Sequence, residues 1–282
     1  MIPLLFAATG GYFTKLAGMI NIALEGLLLA GAFSAITAVY YTGNFTLGLA
    51  AAILTSVALS ALLAFTVLRL HSNIFISGLA VNLFAGGLTV VLSYYLFNTR
   101  GVVTLRDIRF LPVVDIPLIS GIPVIGGLFS GHSLYFYAGL FLLFISKLVI
   151  FDTPFGYRLR ACEKHAAALA SLGIKDNIYR FAAFLISGFF CGIGGAFLSL
   201  NLGAFVPNMT AGKGWIALVV IFLGGRRPVG LLAAAFIFGL AESFSNYTQS
   251  LLHIPADLIL TIPYFFTLLA MVLVSVRTKK YG

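Results

Sequence analysis

Charge is scarce in this chain: only 9% of its 282 residues are Asp, Glu, Lys or Arg. A soluble globular domain carries about 25%, so this composition excludes an ordinary water-solvated fold and points to lipid as the main solvent. Cysteine is nearly absent as well. Cys162 lies in a polar loop and Cys191 in an apolar run, which excludes a disulfide framework and leaves two reduced thiols. Acidic residues number 8 against 17 basic ones. The excess does not make a nucleic-acid-binding face, because the basic residues stand in the gaps between apolar runs. The N-terminus, Met1 to Gly10, has no Lys or Arg and no cleavage site, so a removable signal peptide is not expected.

What the chain has instead is hydrophobicity, at 61% of residues and a mean hydropathy of +1.08. At about 20 apolar residues per crossing, the length allows roughly seven to ten spans. Long apolar segments run from Ile22 to Tyr41, Thr46 to Leu68, Ile74 to Phe97, Leu134 to Phe151, Tyr179 to Leu200, Val229 to Tyr247 and Leu258 to Val276. Ile2–Ala8 and Trp215–Leu223 are too short to cross alone, and segments of this length are more often half-helices or re-entrant pieces, whose backbone ends must be buried in protein. The second is taken as a steep or broken crossing, which makes the topology alternate. The expected architecture is an all-α polytopic membrane protein. It has about eight transmembrane helices plus these short pieces, in one membrane domain over residues 1–282.

The positive-inside rule sets the orientation. Placing the Arg69–His71 turn, the loop at 152–178, Arg226–Arg227, Lys15 and the C-terminal tail inside puts 12 basic residues there and 4 outside. The C-terminus is then cytoplasmic. The outer loop at 98–133 is rich in Pro, Gly and β-branched residues and reads as an extracytoplasmic cap. The inner loop opens on Pro154 and Gly156, continues through helix formers from Tyr157 to Leu172, and stops at Gly173. A short helix along the membrane surface is expected there.

Polar residues inside spans are costly and mark interior contacts or watery paths. Asn21 and Glu25 stand four apart at the inner end of the first long span, a spacing that puts them on one helix face. They can tie that helix to a neighbour, cap an adjacent half-helix, or touch solute. Glu242 and Asn246 repeat the spacing in another span, and Asn82 sits near mid-membrane between Gly78 and Gly86. A path-lining role and an interhelix hydrogen bond are both open for these three. Gly188 and Gly192 form a small-xxx-small face for close packing, and Trp215 reads as an interfacial anchor. There is no ATP-binding motif, since Gly212-Lys213-Gly214 lacks the Walker spacing. Neither a paired metal-ligand spacing nor a Ser-His-Asp constellation appears, and nothing argues for an enzyme.

The stretch Gly18-Met19-Ile20-Asn21-Ile22-Ala23-Leu24-Glu25-Gly26 resembles a signature of bacterial ABC-transporter permeases. The family is that of branched-chain amino acid and simple-sugar permeases, and its nucleoside-type branch is the best match. Ile74 to Leu83, Met209 to Leu218, and Gly224-Gly225 with Pro228-Val229-Gly230 are similar to family segments in the same order. Arg158 to Ile174 resembles the loop through which such permeases engage their ATPase.

The resemblance implies a type II importer-like permease that translocates nucleosides or simple sugars. It assigns ATPase coupling to Arg158, Arg160, Glu163, Ala166, Ala167, Ala168 and Gly173, although at Glu163, His165 and Ala166 the family more often has Gly, Asn and Pro. Asn82, Glu242, Asn246 and Phe75 are candidates for the translocation path. Asn21 and Glu25 are a structural polar pair. The implied partners are an ATP-binding cassette ATPase that uses ATP and Mg, a second, non-identical permease subunit, an extracytoplasmic solute-binding protein, and membrane lipid. The chain itself would bind no cofactor and no nucleic acid, and its location would be the bacterial inner membrane. Two other readings stand beside this one: a proton- or ion-coupled carrier using Glu242 or Glu25, and a membrane assembly subunit with no solute path.

Overall fold

The computed structural model describes residues 1–105, 113–114, 131–225 and 228–251. Ten helices are seen among them: α1 (Ile2–Leu16), α2 (Leu24–Thr42), α3 (Phe45–Leu68), α4 (Ile74–Phe97), α5 (Leu134–Asp152), α6 (Pro154–Lys164), α7 (Ala166–Ser171), α8 (Asp176–Leu202), α9 (Lys213–Leu223) and α10 (Pro228–Leu251). Five of them, α2, α3, α4, α8 and α10, are long and apolar enough to cross a membrane. The count becomes six if α5 and α6, bent by 72° at Thr153, make one broken span. The span expected at Leu258–Val276, the Arg226–Arg227 turn and the basic C-terminal tail lie outside the described residues.

The helix boundaries follow from local chemistry. Asn44 accepts from the Thr46 amide at the head of α3, and Asn73 accepts from Phe75 and Ile76 at the head of α4. Each satisfies amide donors that a first helical turn leaves without a partner. Pro154 occupies the first position of α6, where its missing N–H costs nothing, and the Thr153 hydroxyl accepts from Gly156. Gly43 and Gly203 end α2 and α8 in the left-handed conformation.

The bundle is organised around α8, which packs on α1, α2 and α3. Gly188 and Gly192 make that approach possible, as their pairing four residues apart suggests. A Cβ on Gly188 would stand 2.8 Å from the Val57 Cα, and one on Gly192 would stand 2.7 Å from the Ile53 Cα. The short segment expected at Ile2–Ala8 is the first half of the 15-residue α1, which is buried along nearly its whole length. Such a helix is too short to span and is enclosed by protein on all sides. At the far end of the bundle, β1 (Val103–Thr104) pairs antiparallel with β4 (Ala204–Phe205), and β2 (Val113–Val114) with β3 (His132–Ser133). Phe205 sets its ring edge-on to Phe33, 5.1 Å between centroids. Most of the loop at 98–133 lies outside the described residues.

Candidate functional site

Between α1 and α2 the chain leaves helical conformation from Ala17 to Ala23. Asn21 therefore lies in the turn and not on the face of α2 with Glu25, as the four-residue spacing suggests. Helix periodicity does not apply across a start at Leu24. The two residues have separate roles. The Asn21 carboxamide accepts from the Ala23 amide at 3.0 Å and donates to the Ser187 hydroxyl on α8 at 2.9 Å. It braces the turn against the central helix.

Glu25, in the first turn of α2, reaches the head of α9. One carboxylate oxygen accepts from the Gly212 amide at 2.9 Å and the other from the Gly214 amide at 2.6 Å. The positive end of a helix and its free amides favour an anion, and here the chain supplies that anion from another helix. Gly214 allows the contact, because a Cβ there would overlap the Glu25 backbone. The segment at Trp215–Leu223, taken from the sequence as a steep or broken crossing, is an 11-residue helix with a satisfied head, too short to cross by itself. Its tail is held too, since Lys15 on α1 donates to the Ile221 carbonyl at 2.9 Å and lies over the Phe222 ring.

Asn82 completes the junction. It accepts from the Gly26 amide at 2.7 Å and donates to the Ile22 carbonyl at 3.0 Å, so one side chain on α4 joins the end of the turn to the first turn of α2. A Cβ on Gly26 would stand 2.8 Å from the Asn82 Cα. Asn82 is the ninth residue of the 24-residue α4, about 12 Å along a helix of about 36 Å. The junction therefore lies inside the apolar depth, nearer the end where α6 and α7 sit.

Glu242 on α10 pairs with Lys213 at 2.6 Å, with the two side chains 32% and 19% exposed. Lys213, one of the four basic residues that the charge count places outside, has a side chain only 19% exposed and turned to α10. Residues 203–212 descend from the far end of α8 without helix before α9 begins. Trp215 shares that descent. It is 41% exposed, one residue beyond the Gly214 amide that Glu25 holds. Phe75 is 53% exposed in the first turn of α4, away from the junction. Asn246 falls within α10, and its side chain is outside the described residues. The structure thus gathers Asn21, Glu25 and Asn82 round one turn, sets Glu242 against Lys213, and leaves Phe75 apart.

The loop at 152–178 also differs from its expected form. Instead of one helix from Tyr157 to Leu172 there are two, α6 and α7, broken at His165, whose φ of −133° and ψ of 40° are not helical. Gly173 ends the unit with a φ of +72°, the left-handed stop that the sequence suggests. Leu159 and Cys162 are buried, while Ala167 and Ala168 are exposed and Ala166 partly so. Arg158 donates to the Tyr179 hydroxyl at 2.8 Å, and Arg160 stacks over Phe151 and Tyr157. Both guanidinium groups already have contacts within the chain. Glu163 is exposed near the end of α6, and its Cα would meet a Cβ placed on Gly18 at 3.1 Å. Among the described residues no group of three or more His, Cys, Asp and Glu side chains is placed to hold a metal.

Sequence reasoning offered the Asn21–Glu25 pair as a cap for an adjacent half-helix but did not name the Gly212 and Gly214 amides, or the Lys213 ammonium beside Glu242, as partners. The signal was present in the pairing of a span carboxylate with a half-helix too short to cross, since such a helix needs an anion at its buried head.

Several helices fit to cross a membrane, one short helix buried in protein, a second held at both ends, and a polar turn within the apolar depth define a multi-pass α-helical membrane protein. Residues 1–276 match the family model described as branched-chain amino acid transport system / permease component, and the chain belongs to that family. It is 31% identical to the nucleoside ABC transporter permease protein NupC of Lactococcus lactis, with 96% of this chain and 88% of the relative covered. It is 33% identical to the guanosine ABC transporter permease protein NupQ of Bacillus subtilis, covering 95% and 87%. The putative glucose ABC transporter permease protein TsgC13 of Haloferax volcanii is 30% identical, covering 88% and 75%. No solved structure matches.

Proposed function

We propose that this chain is the membrane-spanning subunit of an ATP-driven importer and passes nucleosides, with simple sugars as the second substrate class. An extracytoplasmic binding protein delivers the solute, and a second permease subunit completes the path. An ATP-binding cassette partner engages the α6–α7 end, which faces the cytoplasm together with the C-terminus. Arg158, Arg160, Glu163, Ala166, Ala167, Ala168 and Gly173 form or frame the coupling surface. Asn82, Glu242, Asn246 and Phe75 are the path candidates.

The observation that carries the reading is the α6–α7 unit itself. Its buried face anchors it to the bundle, and its small residues Ala167 and Ala168 are exposed, a shape that a partner's groove can grip closely. ATP binding in the partner then shifts the population between two access states through that contact. The coupled-carrier reading draws less support, because the Glu242 carboxylate is held by Lys213 and that of Glu25 by two amides.

The test is uptake of radiolabelled guanosine into vesicles holding this chain and its co-expressed partners. Uptake is expected only with ATP on the α6–α7 side and binding protein on the other. Full uptake by this chain alone, driven by a proton gradient without ATP, would overturn the proposal.

A further inference from the structure

A second polar feature lies away from the junction, where α3 ends and α8 begins. A cavity of about 440 Å³ opens there, lined by Phe65, Leu68, Arg69, His71, Ile178 and Phe181 together with Ala64 and Asn177. Its walls are of two kinds. The side chains from α3, with Ile178 and Phe181 of α8, are apolar, whereas Arg69 and His71 after α3 and Asn177 at the start of α8 bring a guanidinium, an imidazole and a carboxamide.

The turn that carries the cation is firmly built. Arg69 and Leu70 donate their amides to the Phe65 carbonyl, and Ser72 donates to the Thr66 carbonyl. His71 takes a φ of 53°, and the Ser72 and Ser77 hydroxyls lie 2.8 Å apart. The nearby acid is already engaged, as Asp176 pairs with Arg180 at 3.3 Å. Among the described residues Arg69 has no carboxylate within ion-pair distance.

An unpaired cation beside two more polar groups, with apolar walls running into the bundle from the level of the helix ends, matches an amphiphile with an anionic head. We propose that this cavity is a binding site for an anionic phospholipid. The phosphodiester rests on Arg69 with His71 and Asn177 at its side, and one acyl chain lies along Phe65, Leu68 and Phe181. The inference needs only that the chain spans a bilayer and holds whether or not it passes nucleosides. The head-group charge supplies the selectivity and the apolar walls supply the preference for a lipid over a free anion.

The full chain, purified in a non-ionic detergent, would be titrated with phosphatidylglycerol or phosphatidylcholine and read by native mass spectrometry. The wild-type protein is expected to retain one phosphatidylglycerol about fivefold more strongly than phosphatidylcholine. R69Q, which removes the cation, and N177D, which adds a carboxylate beside it, should each erase that preference. K164Q, which removes another exposed cation at the same end, should not. Both test positions are exposed, and monodisperse elution of either variant is enough to keep the test valid. Equal retention of the two lipids by the wild type, or an unchanged preference in R69Q and N177D, would overturn the proposal. So would displacement of the lipid by excess sodium phosphate, which would assign the site to a free anion.

Discussion

At the scale of single residues, the carboxylate of Glu25 governs the head of a half-helix. Removing it in E25A leaves two amides inside the apolar depth without an acceptor, each costing about 1–3 kcal/mol. E25Q keeps an acceptor oxygen but not the charge, and is expected to cost less. Thermal unfolding of the detergent-purified variants should rank wild type above E25Q and E25Q above E25A. Equal stability of all three would show that water replaces the carboxylate at no cost. The Lys213–Glu242 pair behaves differently. E242Q strands two partly buried cations, Lys213 and the Met1 ammonium 3.7 Å from the Glu242 carboxylate, and is expected to destabilise by up to about 3 kcal/mol, whereas K213M leaves the carboxylate its Met1 partner and is expected to cost less. The double variant K213M/E242Q should be more stable than E242Q, because only the Met1 ammonium is then left without its carboxylate. A double variant as unstable as the sum of the singles would mean that the two residues act independently.

Elements were partly legible in the sequence. Apolar runs located the long helices because burial in lipid demands about 20 uninterrupted apolar residues, and the bounds of α3 and α4 agree closely with the Thr46–Leu68 and Ile74–Phe97 segments. Ile22 and Ala23 are as apolar as the helix that follows, so hydropathy could not show that α2 starts at Leu24. The start is framed by the local bond of the Ala23 amide to Asn21 and by Asn82, whose carboxamide reaches Ile22 from 60 residues away, and the second of these is a tertiary fact. His165 likewise breaks the surface helix without a Gly or Pro to announce it. The Glu163, His165 and Ala166 departures from the family pattern surround that break. Because Ala167 and Ala168 are exposed on α7, A167W or A168W should leave the helical circular dichroism spectrum and the elution profile unchanged while abolishing co-purification of the ATPase. Loss of folding in both would instead make α7 part of the core.

For the molecule as a whole, sidedness is the property most open to direct measurement. Cys162 and Cys191 are free and buried, so a single added thiol reports its own position. K164C should react with a membrane-impermeant maleimide only from the cytoplasmic side, and N44C, at the opposite end of α3, only from outside. The reverse pattern would invert the topology that the distribution of basic residues implies.

The hold on both ends of α9 has a kinematic consequence. Glu25 grips its head from α2 and Lys15 grips its tail from α1, so any movement of α9 against either helix must first break one of these bonds. Opening and closing would then take place at seams outside this trio, with α9 as part of a fixed wall and not as a swinging gate. An inhibitor that wedged between α9 and α2 would not jam a moving hinge; it would have to break the wall itself.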